Sequence, residues 1–391
     1  MDIILNRTKG DKFIWIIVIL LSVFSMLAVY SSTGTIAYRY HGGNTLYYFS
    51  KHFFILVFGF FLMFVAHKVN YKYYSRIAQV LFYITIPLLI ITMFAGVEIN
   101  DARRWLTLPI IDMSFQTSDL AKLALIMNLA RDLSKKQKTI KDFRTGFLPV
   151  MLPPLIICGL IMPSNLSTAA ILFATCLLLM FIGRISLKYM AITLGSALVL
   201  GAIIVFLAMH TSFHARVDTW ISRVQDFKGH NKGTYQVQQA KIAISGGGFF
   251  GKGPGNSSQR NFLPDPFSDF IYAIICEEYG LFGGAILIFL YLMLLLRSIR
   301  IFGKTPNAFG AFLAVGLSFS LVIQAMINMA VVVNLLPVTG VTLPFVSMGG
   351  TSIWFSSFAM GIILSVSANV EQEEQQVKET NDEVDEAVAE G

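Results

Sequence analysis

The sequence predicts an all-α integral membrane protein of about ten transmembrane helices with one long extracytoplasmic loop between the seventh and eighth. Three observations predict it. Of 391 residues, 55% are hydrophobic and only 14% charged, against about 25% charged in an ordinary soluble domain. The apolar residues come in blocks long enough to cross hydrocarbon, which takes about 20 helical residues, without the polar face that a soluble helix shows every turn. The basic residues between blocks fall mostly on alternate segments, as the positive-inside rule requires.

The blocks lie near 13–32, 51–69, 75–96, 114–133, 146–163, 166–183, 187–209, 270–297, 308–334 and 344–368. The first follows a basic start and is closed by no small-residue cleavage site, so it reads as a retained signal anchor. The fourth is the least hydrophobic and carries Asp119 and Lys122. The fifth and sixth meet at the short turn Pro163-Ser164-Asn165. With the N-terminus inside, the inside segments hold 17 basic residues and the short outside segments 3, Arg39, Arg103 and Arg104. Ten crossings return the C-terminus to the cytoplasm.

Residues 1–370 therefore read as one membrane domain and 371–391 as a disordered cytoplasmic tail with nine acids and one Lys. The net charge of +7 hides a balance of +15 over residues 1–370. That suits anionic headgroups or anionic lipid-linked substrates. It does not suit nucleic acid, because the basic residues sit in short loops between apolar blocks. Cys158, Cys176 and Cys276 all fall within apolar stretches and read as small core residues.

The loop at about 210–269 is long and carries Arg216, Arg223, Lys228, Lys232, Lys241, Lys252 and Arg260. Long loops escape the charge rule, and a loop of this length is usually functional. Within it, Tyr235 to Ser245 has helical spacing and predicts a helix against the membrane surface.

Charged residues at membrane depth are functional candidates. Asp119 and Lys122, three apart, share a helix face; they read equally as a packing ion pair or as a polar site facing a cavity. Asp269 stands where the long loop enters the eighth helix, as an N-cap or an acid–base group. Glu277 lies two turns on, roughly on the same side, while Glu278 points away. These three acids suit acid–base chemistry or cation binding. The Gly-rich stretch Ser245 to Asn256 lacks the Lys-Ser/Thr ending of a nucleotide loop. Its glycines allow sharp turns, and its amides with Lys252 suit an anionic headgroup. Two prolines and three glycines between Pro337 and Ser352, around Ser347, break regular helix and predict backbone lining a protein cavity. Gln324 and Asn328, four apart, share a face and suit interhelical hydrogen bonds.

These stretches carry a family resemblance. Ala102-Arg-Arg-Trp105, Phe115-Gln-Thr-Ser-Asp-Leu-Ala-Lys122, Ser245 through Ser257, Phe262-Leu-Pro264 with Ser268-Asp-Phe270, Glu277-Glu-Tyr-Gly280 and Leu336 through Gly350 follow in the order found in the SEDS (shape, elongation, division and sporulation) family. The chain resembles that family, which includes FtsW, RodA and SpoVE, over nearly its whole length. The resemblance implies a peptidoglycan glycosyltransferase of the bacterial inner membrane. Such an enzyme polymerises lipid II, a disaccharide–pentapeptide on undecaprenyl diphosphate, and works beside a single-pass class B penicillin-binding protein and other division proteins. The family's essential loop acid maps onto Asp269. Arg104, Trp105, Asp119, Lys122, Arg216, Arg223, Lys252, Arg260, Glu277 and Ser347 are the accompanying substrate-binding candidates.

Asp269 would act as general base for the acceptor 4-hydroxyl. Basic residues, with Mg or Mn as a candidate divalent cation of unassigned ligands, would neutralise the leaving diphosphate. The chain departs from the family at Asp119, where Glu is usual, at Asn165, where the family has Asp, and at Phe267-Ser268, where it has His-Thr. Thr342, where elongation members tend to have Pro, favours the division branch and enrichment at the septum over the elongation branch. A lipid-linked precursor flippase and a degenerate scaffold are the rival readings.

Overall fold

The structure is a computed structural model that describes residues 10–99, 102–108, 113–210, 227 and 235–390. Among the described residues, ten long helices follow the ten apolar blocks in order. Helix α1 (Lys12–Ser32) starts at Asp11, whose carboxylate accepts from the Phe13 amide. A short α2 (Gly34–His41) leads to α3 (Thr45–Lys68) and α4 (Tyr71–Ala95), capped by Asn44 and Asn70. Such caps satisfy amides that a helix start leaves without a partner.

Helix α5 (Thr117–Lys135) is followed by a π-helical turn, Phe143–Phe147, that runs into α6 (Leu148–Ile161). Asn165 caps α7 (Leu166–Ile182) by accepting from the Thr168 amide at 3.1 Å. That is a structural duty. Then come α8 (Leu187–His210), the loop helix α9 (Tyr235–Gly247), α10 (Ile271–Lys304), α11 (Ala308–Val332) and α12 (Gly350–Glu390).

By length and composition alone, seven of the described helical segments can cross a membrane. Helix α7 is apolar but shorter. Helix α5 owes its place to its position. Residues Leu123 to Ala130 are buried without a break, and α11 and α12 are buried over most of their apolar length. Helix α5 packs on α4 and α11, and α12 packs on α3 and α11. A helix screened from lipid by its neighbours can carry polar groups that hydrocarbon would reject.

The structure departs from the expected elements in three places. Three short strands form a small antiparallel sheet, β1 (Val97–Ile99), β2 (Ala102–Leu108) and β3 (Met113–Gln116), in the order β1-β2-β3. Helix α5 accordingly begins at Thr117 rather than 114. The last helix starts at Gly350 rather than 344.

It also continues to Glu390, so the acidic segment expected to be disordered is helical. Two contacts dock its first turn. Glu371 accepts from the Gly10 amide at 2.9 Å, and Glu374 pairs with Lys304 at 2.9 Å. Glu, Gln and Ala are also good helix formers.

Candidate functional site

The site is built around an irregular strap, residues 337–349, between α11 and α12. Val341 and Leu343 to Ser347 are buried, so the carbonyls there need partners inside the protein. Side chains from three helices supply them. Asn328 donates to Val341 O at 2.6 Å, and Gln324 to Thr342 O at 2.9 Å, both from α11. Tyr291 on α10 donates to Pro344 O, and Ser25 on α1 donates to Val346 O at 2.8 Å. Ser25 also lies 2.7 Å from His52 Nε2. Its single hydroxyl proton goes to Val346 O, so His52 is the donor there. Phe345 sits in the strap at a left-handed φ of 63° and is almost wholly buried, a conformation that persists only where the surroundings over-determine it.

The strap in turn holds residues 267–269. Ser347 Oγ accepts from the Leu343 amide at 2.8 Å and donates to Ser268 O at 2.7 Å. The Met348 amide donates to Phe267 O at 2.8 Å, and Asn328 donates to Asp269 O at 2.9 Å. Asp269 therefore stands on backbone fixed from both sides. Its half-buried carboxylate accepts from Ser268 Oγ at 3.1 Å. A Cβ at Gly340 (φ 65°) would lie 3.5 Å from Asp269 Oδ2, so bare strap backbone lines one side of the acid. The N-cap of α10 is Phe270, without a side-chain cap bond. Asp269 precedes the cap position.

Asp119 and Lys122 form the expected pair, at 2.7 Å. Lys122 also donates to Gln324 Oε1 at 2.9 Å, which links the pair to the strap. Asp119 Oδ2 is buried with no hydrogen-bond partner. The pair lines a cavity of about 30 Å³ with Ser320, Ser352 and Ser356. That space suits one or a few waters, not a sugar.

Glu277 and Glu278 are held by the long loop instead. Glu277 is fully buried and binds Lys252 Nζ at 2.6 Å, the hydroxyls of Ser257 and Ser258, and the Gln259 amide at 3.2 Å. Glu278 accepts from the Ser31 hydroxyl and from the Ser257 amide. Arg260 donates to Ser31 O at 3.0 Å. Lys252 and Glu277 thus brace the loop. Among the described residues no group of three or more His, Cys, Asp or Glu is placed to hold a metal ion. The three acids do not form one cation site.

The Gly-rich stretch packs against a kink in α10. Gly280 has φ 69° and ψ −170°, a region open essentially to glycine alone. The kink releases backbone groups that the loop satisfies. The amides of Lys252 and Gly253 donate to Glu277 O and Glu278 O, and those of Leu281 and Phe282 donate to Gly248 O and Phe249 O. A Cβ on Gly280 would sit 2.3 Å from Phe249 O, whereas one on Gly255 meets nothing within 4 Å. Gly280→Ala is expected to lose about 2 kcal/mol or more of stability, and Gly255→Ala only about 1, the left-handed penalty alone. Thermal unfolding in detergent checks this; equal midpoints would contradict it.

Arg104 lies on β2 and donates to Ser164 O at 2.9 Å, tying the sheet to the α6–α7 turn, and Trp105 pairs with Gln116 across β2 and β3. Arg216 and Arg223 lie outside the described residues. A larger cavity, of about 400 Å³, opens among Ser32, Arg260, Asn261, Phe262, Asp265 and Phe267. Desolvation raises the Asp265 carboxyl above its ordinary range. This cavity is lined up to Phe267, two residues before Asp269. Sequence reasoning missed it because its walls come from α1, α2 and the long loop.

Known proteins share this architecture. The family model described as cell cycle protein, FTSW_RODA_SPOVE, matches residues 11–372. The probable peptidoglycan glycosyltransferase FtsW of Trichlorobacter lovleyi is 33% identical over 366 residues, 92% of this chain and 93% of that protein. Stage V sporulation protein E of Bacillus subtilis is 33% identical over 366 residues, 93% of this chain and 98% of that protein. A chain from the structure titled "Structural coordination of polymerization and crosslinking by a peptidoglycan synthase complex" superposes with TM-score 0.73 at 22% identity, covering 93% of this chain and 99% of that one. The rod shape determining protein RodA of Thermus thermophilus superposes with TM-score 0.67 at 21% identity, covering 93% and 98%. These two support the fold, an all-α multi-pass membrane architecture.

Proposed function

The chain belongs to the FtsW/RodA/SpoVE cell cycle protein family, and from that premise we propose that it polymerises lipid II into glycan strands with Asp269 as the catalytic base. It is a peptidoglycan glycosyltransferase, as its relatives named FtsW are. The observation that carries the role of Asp269 is its support: the strap bonds the backbone of Phe267 and Ser268, Asn328 of α11 bonds that of Asp269, and the carboxylate is left half-exposed at the mouth of α10. An acid serves as a base only if it is held at the proton it removes.

In this reading Asp269 takes the proton of the acceptor sugar's 4-hydroxyl. That oxygen attacks the donor's anomeric carbon from the face opposite the lipid diphosphate. The new glycosidic bond forms with inversion as the bond to the diphosphate oxygen breaks, and the diphosphate leaves with the electron pair. Arg260, at the wall of the 400 Å³ cavity, and the basic residues Arg216 and Arg223 are the groups to offset its charge. The loop end faces outward and both termini face the cytoplasm, as the distribution of basic residues requires.

The partner is a single-pass class B penicillin-binding protein. An exposed apolar face of α10, through Phe282, Phe289, Leu292 and Leu296, suits a transmembrane helix of such a partner. Thr342 in the strap and the FtsW-named relatives favour work at the division septum.

The test is reconstitution. The protein, co-purified with its partner and placed in liposomes, is supplied with lipid II. Glycan strands are the expected product. Transbilayer movement of lipid II without strands would instead make the chain a flippase, and neither would make it a scaffold. Complementation of cells depleted of the division or the elongation enzyme decides the branch.

A further inference from the structure

We propose that Gln324 and Asn328, one turn apart on α11, are positioning residues that set the place of the Asp269 carboxylate, and that Lys122 fixes the orientation in which Gln324 does so. The inference rests on Asp269 being the catalytic base.

The two side chains grip consecutive carbonyls of the strap, Thr342 O and Val341 O. Residues four apart on a helix point the same way, so α11 presents both amides to one short stretch of backbone. Asn328 does more than hold the strap. Its Nδ2 lies 2.6 Å from Val341 O and 2.9 Å from Asp269 O. An amide nitrogen has two protons, and both are used, one on the strap and one on the residue that carries the acid. Asn328 Oδ1 is buried and has no partner. A residue present for packing alone would be apolar and would leave no acceptor unsatisfied. The polar group is kept for its donors.

Gln324 depends on α5. Lys122 can only donate, so the Gln324 atom facing it at 2.9 Å must be the carbonyl oxygen. That leaves Nε2 toward Thr342 O. Asp119 holds the Lys122 ammonium in place at 2.7 Å. The buried ion pair thereby reaches the acid through hydrogen bonds and the strap, without touching the reacting groups. Lateral drift of the carboxylate by about 1 Å would cost about 100-fold in rate while leaving substrate binding largely intact.

Three variants in the lipid II polymerisation assay, with partner and liposomes, test this. Asn328→Leu removes both donors at similar volume. Gln324→Glu keeps the shape and the contact to Lys122 but cannot donate to Thr342 O. Asn328→Leu is expected to lower kcat about 100-fold and Gln324→Glu about 10-fold, each with KM within about twofold of the parent. Asp269→Asn is run beside them.

Unchanged kcat in both α11 variants, with lowered unfolding temperature, would show that the bonds serve the fold alone and would overturn the inference. Loss of both proteins to misfolding would do the same. If Asp269→Asn itself retains the parental rate, it is the reading of Asp269 that fails. If Asp269→Asn is inactive while both α11 variants turn over normally, only the positioning inference fails.

Discussion

Asp269→Asn is expected to reduce the rate of glycan polymerisation by about 10²–10⁴-fold, the usual weight of a positioned acid–base group. Asn is nearly isosteric and can still accept from Ser268 Oγ, which lies 3.1 Å from Asp269 Oδ1. The bonds from Ser347 to Ser268 O and from Asn328 to Asp269 O end on backbone carbonyls, not on the carboxylate, and survive the change. The fold should therefore be kept and the unfolding temperature should move little. What is lost is the ability to accept a proton from the acceptor hydroxyl. The same substitution at Asp265, which lines the neighbouring cavity, should be far milder. The measurement is turnover of lipid II by the purified, partner-bound protein. A parental rate from Asp269→Asn would remove Asp269 from the mechanism.

Lys122→Met is expected to destabilise the protein by about 3–5 kcal/mol, as breaking a buried ion pair from one side does. Asp119 would be left almost fully buried, and its Oδ2 already has no hydrogen-bond partner. The loss comes mainly from that stranded charge, since the pair itself repays little beyond its own desolvation. The double variant Asp119→Leu with Lys122→Met should therefore recover most of the stability. It should not recover activity, because Gln324 then lacks the donor that orients it. Thermal unfolding and polymerisation, measured on the same preparations, separate the two effects. If the single variant proves as stable as the parent, Asp119 is not held as a buried carboxylate.

The resemblance of the sequence to a family was legible because its motifs are local: Gly-rich runs, Ser268-Asp-Phe270 and Glu277-Glu-Tyr-Gly280 can be read residue by residue. The pair Asp119–Lys122 was legible for a like reason, since helix geometry places i and i+3 on one face. The roles of Lys252 and Glu277 were not. They lie 25 residues apart and meet only because α10 kinks at Gly280 and the loop folds back on the kink. Glu278 and Ser31 are separated by 247 residues, and no spacing rule reaches that far. The small sheet was missed because strands of three, seven and four residues are too short for alternation to stand out.

By itself the sequence determined the membrane class and the helix spans. Transfer from water to hydrocarbon is a property of composition over about 20 residues and needs no knowledge of neighbours. It also predicted the break between Pro337 and Ser352, because proline and glycine act on their own backbone, but not the kink at Gly280. Only the tertiary structure decided what those breaks are for. The carbonyls freed in the strap must be satisfied inside the protein. The side chains that satisfy them, Ser25, Tyr291, Gln324 and Asn328, come from three helices. Those partners convert an irregular segment into the support of one acid, Asp269.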